Sequence, residues 1–330
     1  MKQRRLGPFA VSAVGLGCMS LSHAYGTPPD AQTASRLLLR ALDLGYTFFD
    51  TAALYGFGAN ESLLGQTLRT RRGEIVLATK CGMFRNSAGV REIDGRPAVL
   101  RQTVEDSLTR LRVDSIDLCY LHRWDKRIPI EESVGALGQM VAAGKIRAIG
   151  LCEVSAQTLD RAYKAHPVAA LQSEYSLWTR NPEIAVLEKC RRLGVGFVAF
   201  SPLGRGFLAG AAVDPSSLAA NDIRRQMPRF EPINYAANLA LFATLRNIAA
   251  EVGCTTSQLA LGWLLSRGVD IIPIPGTTRI DHLQENAAAP ELQISSDAIC
   301  RMDEVFHSKS VVGARYNAAT QAEIDSEEFV

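Results

Sequence analysis

The stretch Phe48-Phe49-Asp50-Thr51-Ala52-Ala53-Leu54-Tyr55-Gly56 is an apolar run that ends in a carboxylate, with a tyrosine five residues later. Aromatic residues such as Phe48 and Phe49 favour a buried β-strand. The interior of such a strand carries packing, so its end is where functional side chains are expected. We therefore predict a strand that ends at Asp50, with Tyr55 in the loop that follows.

The same pattern occurs along the whole chain, in which eight short apolar runs alternate with turns and segments of helical period. Strict alternation predicts parallel strands joined by right-handed crossovers. Eight such units favour a (β/α)8 TIM barrel, with a short N-terminal hairpin at residues 4–11 and long loops at the C-terminal face. The predicted strands are 14–18, 47–50, 75–79, 116–121, 146–151, 169–174, 195–200 and 271–274.

A doubly wound nucleotide-binding sheet is the alternative fold, and it should show G-x-G-x-x-G directly after its first strand. Gly15-Leu16-Gly17-Cys18-Met19-Ser20 lacks the third glycine, and residues 204–210 contain one residue too many. The sequence therefore favours the barrel over the open sheet, and we predict one domain that spans residues 1–330.

Three segments depart from the regular alternation. Residues 204–235 form a connection long enough to be a functional lid, and residues 82–96 form a second insertion after the third strand. The polar tail from residue 308 to residue 330 predicts either a disordered end or a flap over the mouth of the barrel.

Composition excludes several classes of function. The chain has 330 residues, of which 47% are hydrophobic and 21% charged, and its net charge of +2 predicts neither a nucleic acid nor a membrane partner. Its seven cysteines form no C-x-x-C pair, which favours reduced thiols in a cytosol. Glycines and a proline interrupt the apolar run between Met1 and Cys18, so we expect a cytoplasmic protein without a signal peptide.

Three ionisable residues end consecutive predicted strands: Asp50, Lys80 and His122. In a barrel of parallel strands the carboxyl ends meet at one mouth, where active sites lie. Tyr55 follows the second strand and falls on the same face. These four residues are therefore the predicted catalytic group.

The four side chains have complementary chemistry for donating a proton. A free tyrosine has a pKa of about 10, and a nearby cation such as Lys80 stabilises its phenolate. Asp50 would keep Lys80 charged, and His122 would hydrogen-bond a substrate carbonyl. Each residue also has a structural alternative, as a helix cap, a packed surface tyrosine or a structural ion pair.

Other chemistries lack support in the sequence. The five histidines show no H-x-x-x-H spacing, so no metal site is predicted. A G-x-S-x-G nucleophile elbow is also absent, which removes support for a serine hydrolase.

Between about residues 4 and 286 the chain resembles the aldo-keto reductases, and within them a plant auxin-induced and pyridoxal-reductase-like branch. The motifs that carry the resemblance are Phe49-Asp50-Thr51-Ala52 with Tyr55-Gly56, Ala78-Thr79-Lys80, Asp117-Leu118 through His122-Arg123, Gly144-Lys145-Ile146-Arg147, Gln172-Ser173-Glu174-Tyr175, Ser201-Pro202-Leu203-Gly204 and Ile274-Pro275-Gly276-Thr277.

The resemblance implies that Asp50, Tyr55, Lys80 and His122 form the family's catalytic tetrad. It implies reduction of aldehydes or ketones with NADPH, NAD being less expected, and with Tyr55 as proton donor. Two alternatives stay open: a dehydrogenase of an alcohol, a sugar or a pyridoxine-type compound in the reverse direction, and a nucleotide-sensing regulatory subunit. The oligomeric state stays open as well.

The resemblance also assigns residues to the cofactor and the substrate. Gln172 would bind the carboxamide, Phe200 would stack on the nicotinamide, and Arg279 would face a 2′-phosphate. The other cofactor residues are Cys152, Ser201, Leu203, Gly204, Arg205, Gly276, Thr278, His282, Glu285 and Asn286. Candidates for contact with a small carbonyl substrate are Met19, Tyr25 and Trp124, together with the tail.

Two positions depart from the family pattern. Cys152-Glu153 stands where many members have Ser-Asn, which predicts weaker binding of the carboxamide. Gly276 stands where the family has a lysine beside the 2′-phosphate, which makes Arg279 more important.

Overall fold

The structure is a computed structural model that describes residues 1–85, 90–210 and 214–329. Twelve strands lie in these residues: β1 (Gln3–Leu6), β2 (Phe9–Ser12), β3 (Leu16–Gly17), β4 (Phe48–Asp50), β5 (Val76–Cys81), β6 (Met83–Arg85), β7 (Arg91–Ile93), β8 (Ile116–Leu121), β9 (Ile146–Cys152), β10 (Ala170–Glu174), β11 (Gly196–Phe200) and β12 (Ile271–Pro273).

Eight of the strands form one parallel sheet with helices between them. The order across the sheet is β12-β11-β10-β9-β8-β5-β4-β3. Each of these eight strands therefore lies beside the one of the eight that precedes or follows it along the chain. The amide of Gly15 donates to the carbonyl oxygen of Pro273 at 2.9 Å, and Gly17 donates to Pro275 at 3.3 Å. These two hydrogen bonds join the two edge strands, and the predicted (β/α)8 barrel is confirmed.

Helices of the predicted period connect the strands. They are α1 (Ala31–Asp43), α2 (Ala59–Leu68), α3 (Pro97–Leu111), α4 (Ile130–Ala142), α5 (Ala156–Ala165), α6 (Val186–Leu193), α7 (Pro232–Val252), α8 (Thr256–Ser266), α9 (Ile280–Ala288), α10 (Ser296–Val305) and α11 (Ala318–Ala322). Two helices, α7 and α8, connect β11 to β12. The predicted lid therefore ends in the first turn of α7, and its residues 211–213 lie outside the described part of the chain.

The N-terminal hairpin closes one end of the barrel. Strands β1 and β2 pair in antiparallel fashion, and Leu6, Phe9 and Val11 are buried against Phe48 and Tyr120 inside the barrel. This apolar plug removes the N-terminal end of the barrel from water. Only the C-terminal end then remains for a site.

The two other predicted irregular segments are ordered where they are described. The 82–96 insertion contains an antiparallel hairpin of β6 and β7, and its tip at 86–89 lies outside the described residues. The tail carries α11, and Ile324 and Tyr316 are buried. Arg91 of β7 forms an ion pair with Glu323 of the tail. The tail is thus a flap over the mouth rather than a disordered end, and residue 330 lies outside the described residues.

None of the described helices combines the length and the apolar character that crossing a lipid bilayer requires. All seven cysteines are free thiols, and five of them are buried.

Candidate active site

The strand ends place Asp50, Lys80 and Tyr55 in one buried group. Lys80 is fully buried, and its Nζ donates to a carboxylate oxygen of Asp50 and, at 2.9 Å, to the carbonyl oxygen of Thr51. The same ammonium lies 3.2 Å from the hydroxyl oxygen of Tyr55. The predicted contact between the lysine and the phenol is therefore present in the geometry.

His122 completes the group from the end of β8. Its ring lies 6.0 Å from the Tyr55 ring, centroid to centroid, in an edge arrangement. The ring is buried, and Nδ1 has no hydrogen-bond partner among the described residues. Burial, together with the charges of Arg123 and Lys80, holds the pKa of His122 well below its usual value. His122 is accordingly a neutral imidazole at physiological pH.

The charges in the group set the protonation of Tyr55. Burial raises the pKa of Tyr55 to about 12, although Lys80 acts in the opposite direction. Burial alone would lower the pKa of Lys80, but the charges of Asp50 and Tyr55 and the hydrogen bond to Asp50 together raise that pKa above its usual value. Tyr55 is thus a protonated phenol beside an ammonium ion at neutral pH. Lys80 limits the rise that burial causes in the pKa of Tyr55, but it does not bring that pKa below 10.

Gln172 of β10 supports the same group. Its Nε2 donates to the second carboxylate oxygen of Asp50 at 2.8 Å. Asp50 therefore accepts from Lys80 on one oxygen and from Gln172 on the other. The amide of Gln172 also lines the cavity described next, where the carboxamide contact was predicted.

A cavity of about 730 Å³ opens above this group at the C-terminal end of the barrel. It is large enough for an extended cofactor together with a small substrate. The predicted site residues that line it are Met19, Tyr25, Asp50, Tyr55, His122, Cys152, Gln172, Phe200, Ser201, Leu203, Arg205, Gly276, Thr278, Arg279, His282, Glu285 and Asn286.

Three predicted residues do not line the cavity. Lys80 lies beneath it, under Tyr55 and Asp50. Gly204 is buried, and a Cβ built on it would meet the Trp178 ring at 3.0 Å. The indole of Trp124 donates to the carbonyl oxygen of Ile128 at 2.8 Å and packs beneath the Arg161 guanidinium. Trp124 therefore lies outside the cavity lining, where the substrate contact was predicted.

The residues at one end of the cavity fit an adenosine phosphate. Asn286 is 2% exposed, and its Oδ1 has no hydrogen-bond partner in the described residues, as expected of an acceptor that awaits a ligand donor. Arg279 and His282 are exposed beside it. Arg279 forms an ion pair with Asp281, with Nε donating to Oδ1 at 3.0 Å, so a phosphate there would compete with a carboxylate.

Arg205, which was predicted to line the pyrophosphate, lines the cavity and has partners in the protein as well. Its guanidinium donates to Glu174 at 2.7 Å and to the hydroxyl oxygen of Tyr316 at 3.0 Å. It therefore joins the lid to β10 and the tail. Its backbone φ of +56° lies in the left-handed region, which costs about 1–2 kcal/mol for a residue with a Cβ.

Glu153 faces the tail. Its carboxylate accepts from Arg315 at 2.6 Å, from Ser326 at 2.8 Å and from the amide of Glu174 at 2.8 Å. Both members of the Glu153–Arg315 ion pair are buried. The departure from Ser-Asn therefore supplies the attachment point of the tail.

Although it named the lid and the tail as segments, sequence reasoning did not name several cavity residues individually. They are His23 and Leu54 near Tyr55, Met83 and Arg91 of the insertion, Arg123 after β8, Ile223, Arg224, Gln226 and Met227 of the lid, and Tyr316, Asn317 and Thr320 of the tail. Arg123 directly follows His122, a predicted catalytic residue, and this adjacency was a usable signal. The lid and the tail were predicted as segments, but no local pattern singles out the individual residues that line the cavity.

Within the described ranges, no three His, Cys, Asp or Glu side chains are grouped so that they could hold a metal ion.

Residues 13–306 match the aldo/keto reductase family model, so the chain belongs to the aldo/keto reductase family and is an oxidoreductase. It is 42% identical over 319 residues to the aldo-keto reductase yakc [NADP(+)] of Schizosaccharomyces pombe, a match that covers 95% of this chain and 94% of that protein.

Solved structures share the fold. The glycerol dehydrogenase AKR11B4 from Gluconobacter oxydans superposes with a TM-score of 0.86 at 28% identity, covering 96% of this chain and 98% of that one. An aldo-keto reductase from Klebsiella pneumoniae in complex with NADPH gives a TM-score of 0.74 at 26% identity, covering 96% and 98%.

Proposed function

We propose that this protein reduces aldehydes and ketones with NADPH and that Tyr55 donates the proton. The observation that carries the proposal is the hydroxyl of Tyr55 held 3.2 Å from the Lys80 ammonium at the base of the cavity. NADP in the name of the S. pombe relative and NADPH in the Klebsiella complex support the choice of cofactor.

The residues divide the reaction between them. When bound, NADPH supplies the hydride that the carbonyl carbon accepts. His122 hydrogen-bonds the carbonyl oxygen, and Tyr55 donates its proton to that oxygen as negative charge develops on it. Lys80 stabilises the resulting phenolate, and Asp50 with Gln172 holds Lys80 in place. Water then returns a proton to Tyr55.

The protonation of Tyr55 bears on the direction of the reaction. A donor must hold its proton, and a pKa of about 12 meets this condition at neutral pH. The similarity to a glycerol dehydrogenase favours the reverse reaction as a second candidate, and that reaction requires the phenolate. At neutral pH the site therefore favours reduction, and alcohol oxidation should become faster as the pH rises.

The cofactor residues complete the proposal. Phe200 is half-buried at the end of β11 and lines the cavity, which supports its role as the aromatic residue that stacks on a nicotinamide. Arg279, His282 and Asn286 would hold the adenosine phosphate end. Because the hairpin and the tail pack on the barrel, we propose that residues 1–330 act as one domain. The free cysteines support a cytoplasmic location.

The test is the Tyr55→Phe variant, assayed for NADPH oxidation with a panel of aldehydes and ketones. Loss of a positioned proton donor should lower kcat by roughly 10²- to 10⁴-fold. The affinity for NADPH, measured by fluorescence titration, should change little. Tyr163→Phe, on α5 and outside the cavity lining, is the matched control.

Two outcomes would reject the proposal. Unchanged turnover in Tyr55→Phe would remove Tyr55 as donor. A wild-type protein that binds NADPH but reduces no compound in the panel would favour the nucleotide-sensing alternative.

A further inference from the structure

Arg123 follows His122 at the carboxyl end of β8 and lines the cavity. Its Nη1 donates to the carbonyl oxygen of His122 at 2.7 Å and to Sγ of Cys152 at 3.1 Å. Nε is buried without a partner, and Nη2 donates no hydrogen bond within the described residues. Within the described residues, the guanidinium therefore leaves Nε and Nη2 without an acceptor, and Nε itself is buried.

The other arginines of the cavity differ from Arg123 in having a counter-ion. Five arginines line the cavity in the described part of the chain, and four of them form ion pairs. These pairs are Arg91–Glu323, Arg205–Glu174, Arg224–Asp222 and Arg279–Asp281. Arg123 forms no ion pair with a described carboxylate.

The neighbours of Arg123 do not neutralise its charge. The guanidinium stays protonated at every physiological pH. Burial raises the pKa of Cys152 to about 11, so the sulfur that Arg123 contacts belongs to a neutral thiol. The nearby Glu153 carboxylate is engaged by Arg315 and Ser326. A half-buried cation without a counter-ion is costly, and an anionic ligand would offset that cost.

The position of Arg123 separates it from the predicted phosphate sites. Those sites belong to the loops after β11 and β12, whereas Arg123 follows β8, four strands away from β12 in the eight-stranded order. In a closed barrel that is the opposite side of the mouth. His122 and Cys152 place the guanidinium beside the expected carbonyl position instead.

We propose that Arg123 binds a carboxylate of the substrate, so that the preferred substrates are aldehydes or ketones that carry a carboxylate group. This inference rests on the proposed reductase function. The Nη2 amino group, which donates no hydrogen bond within the described residues, can donate a charge-assisted hydrogen bond to a carboxylate oxygen. A carboxylate carries one negative charge, which balances the single positive charge of the unpaired guanidinium. A phosphate ester would carry up to two negative charges.

The experiment compares two aromatic aldehydes that differ in one charge. The probes are 4-carboxybenzaldehyde and methyl 4-formylbenzoate, each assayed with NADPH on the purified full chain. The wild type should favour the carboxylate by roughly ten- to hundredfold in kcat/KM, mainly through KM, as expected for charge-assisted hydrogen bonds.

Variants at Arg123 test the origin of that preference. Arg123→Met should bring the ratio of the two kcat/KM values close to one. Arg123→Lys should retain part of the preference, because it keeps the charge and loses the planar fork. Arg192→Met, on the exposed side of α6, is the matched control and should keep the wild-type ratio.

A binding measurement covers the case in which Arg123→Met does not fold. Calorimetric titration of the wild type, loaded with NADP⁺, should show benzoate binding at least tenfold more tightly than benzamide. Equal binding would overturn the proposal.

The kinetic outcomes separate this inference from the proposed function. Equal reduction of acid and ester by the wild type would overturn the role of Arg123 and leave the reductase intact. Reduction of neither probe, nor of any compound in the wider panel, would reject both. An unchanged ratio in Arg123→Met, with weaker NADPH binding, would assign the guanidinium to the cofactor and overturn the proposal.

Discussion

Replacing Glu153 by glutamine should release the tail from the mouth of the barrel. The Glu153 carboxylate is fully buried and accepts hydrogen bonds from Arg315, Ser326 and the amide of Glu174. Glutamine keeps the shape but removes the charge. The Arg315 guanidinium, which is 2% exposed, would then be buried without its carboxylate.

The expected size of the effect follows from this burial. Removing one partner of a buried ion pair costs about 3–5 kcal/mol, because an uncompensated charge is left behind. An exposed pair contributes only about 0–1 kcal/mol. Glu188, whose side chain is 75% exposed, therefore provides the control Glu188→Gln, which should change stability by less than about 1 kcal/mol.

Hydrogen exchange at the amide of Asp325 measures the release directly. This amide donates to the carbonyl oxygen of Glu153 at 3.0 Å, so it exchanges when the tail opens, whether or not the barrel unfolds. Glu153→Gln should speed its exchange by roughly a hundredfold or more, which corresponds to about 3 kcal/mol of opening free energy. Glu188→Gln should leave the rate nearly unchanged.

The reasoning also predicts the outcome of combining two changes. With Arg315→Met in the same chain, no buried guanidinium remains to be paired, so the cost should fall below the sum of the two single variants by more than about 1 kcal/mol. An increase of less than fivefold in Asp325 exchange, or additive costs in the double variant, would refute the ion pair as the attachment of the tail.

Three further changes test the site. Asp50→Asn removes a charge that raises the pKa of Lys80, so burial should lower that pKa. The kcat of the variant for reduction should then fall as the pH rises, whereas the wild-type kcat should be flat from pH 7 to 9. Parallel pH profiles of kcat would contradict this. Arg279→Met should narrow the preference for NADPH over NADH by about tenfold in Kd, and an unchanged preference would remove Arg279 from the phosphate site. Trp124→Phe should leave kcat/KM for every panel aldehyde within about twofold, and a larger, substrate-dependent change would return Trp124 to the substrate.

The barrel and its four catalytic candidates were predictable because both depend on local pattern. Strand and helix periods are visible in short windows, and a residue at the end of a parallel strand must face the common mouth. Asp50, Lys80 and His122 therefore come together at the C-terminal mouth once the eight strands form a closed barrel. Their spacing along the chain does not matter.

The charges around the mouth were not predictable in the same way. Glu153 and Arg315 are 162 positions apart, and no short window links them. Arg205 was assigned to a phosphate by resemblance, yet Glu174 and Tyr316 bind it from β10 and from the tail. Trp124 is two residues from His122, but its hydrogen bond to Ile128 keeps it out of the cavity. Partners of long polar side chains depend on the complete tertiary structure.

The two residues Cys152 and Glu153, which together depart from the family pattern, have different effects. Cys152 lines the cavity and contacts Arg123, so we expect its effect to fall on ligands bound in the cavity. Glu153 has a left-handed φ of +56°, a conformation that asparagine adopts more readily than glutamate. The hydrogen bonds of the Glu153 carboxylate to Arg315 and Ser326 offset that strain. The glutamate fixes the tail whose Tyr316 and Asn317 line the cavity, and under the proposed function the carboxamide contact is left to Gln172.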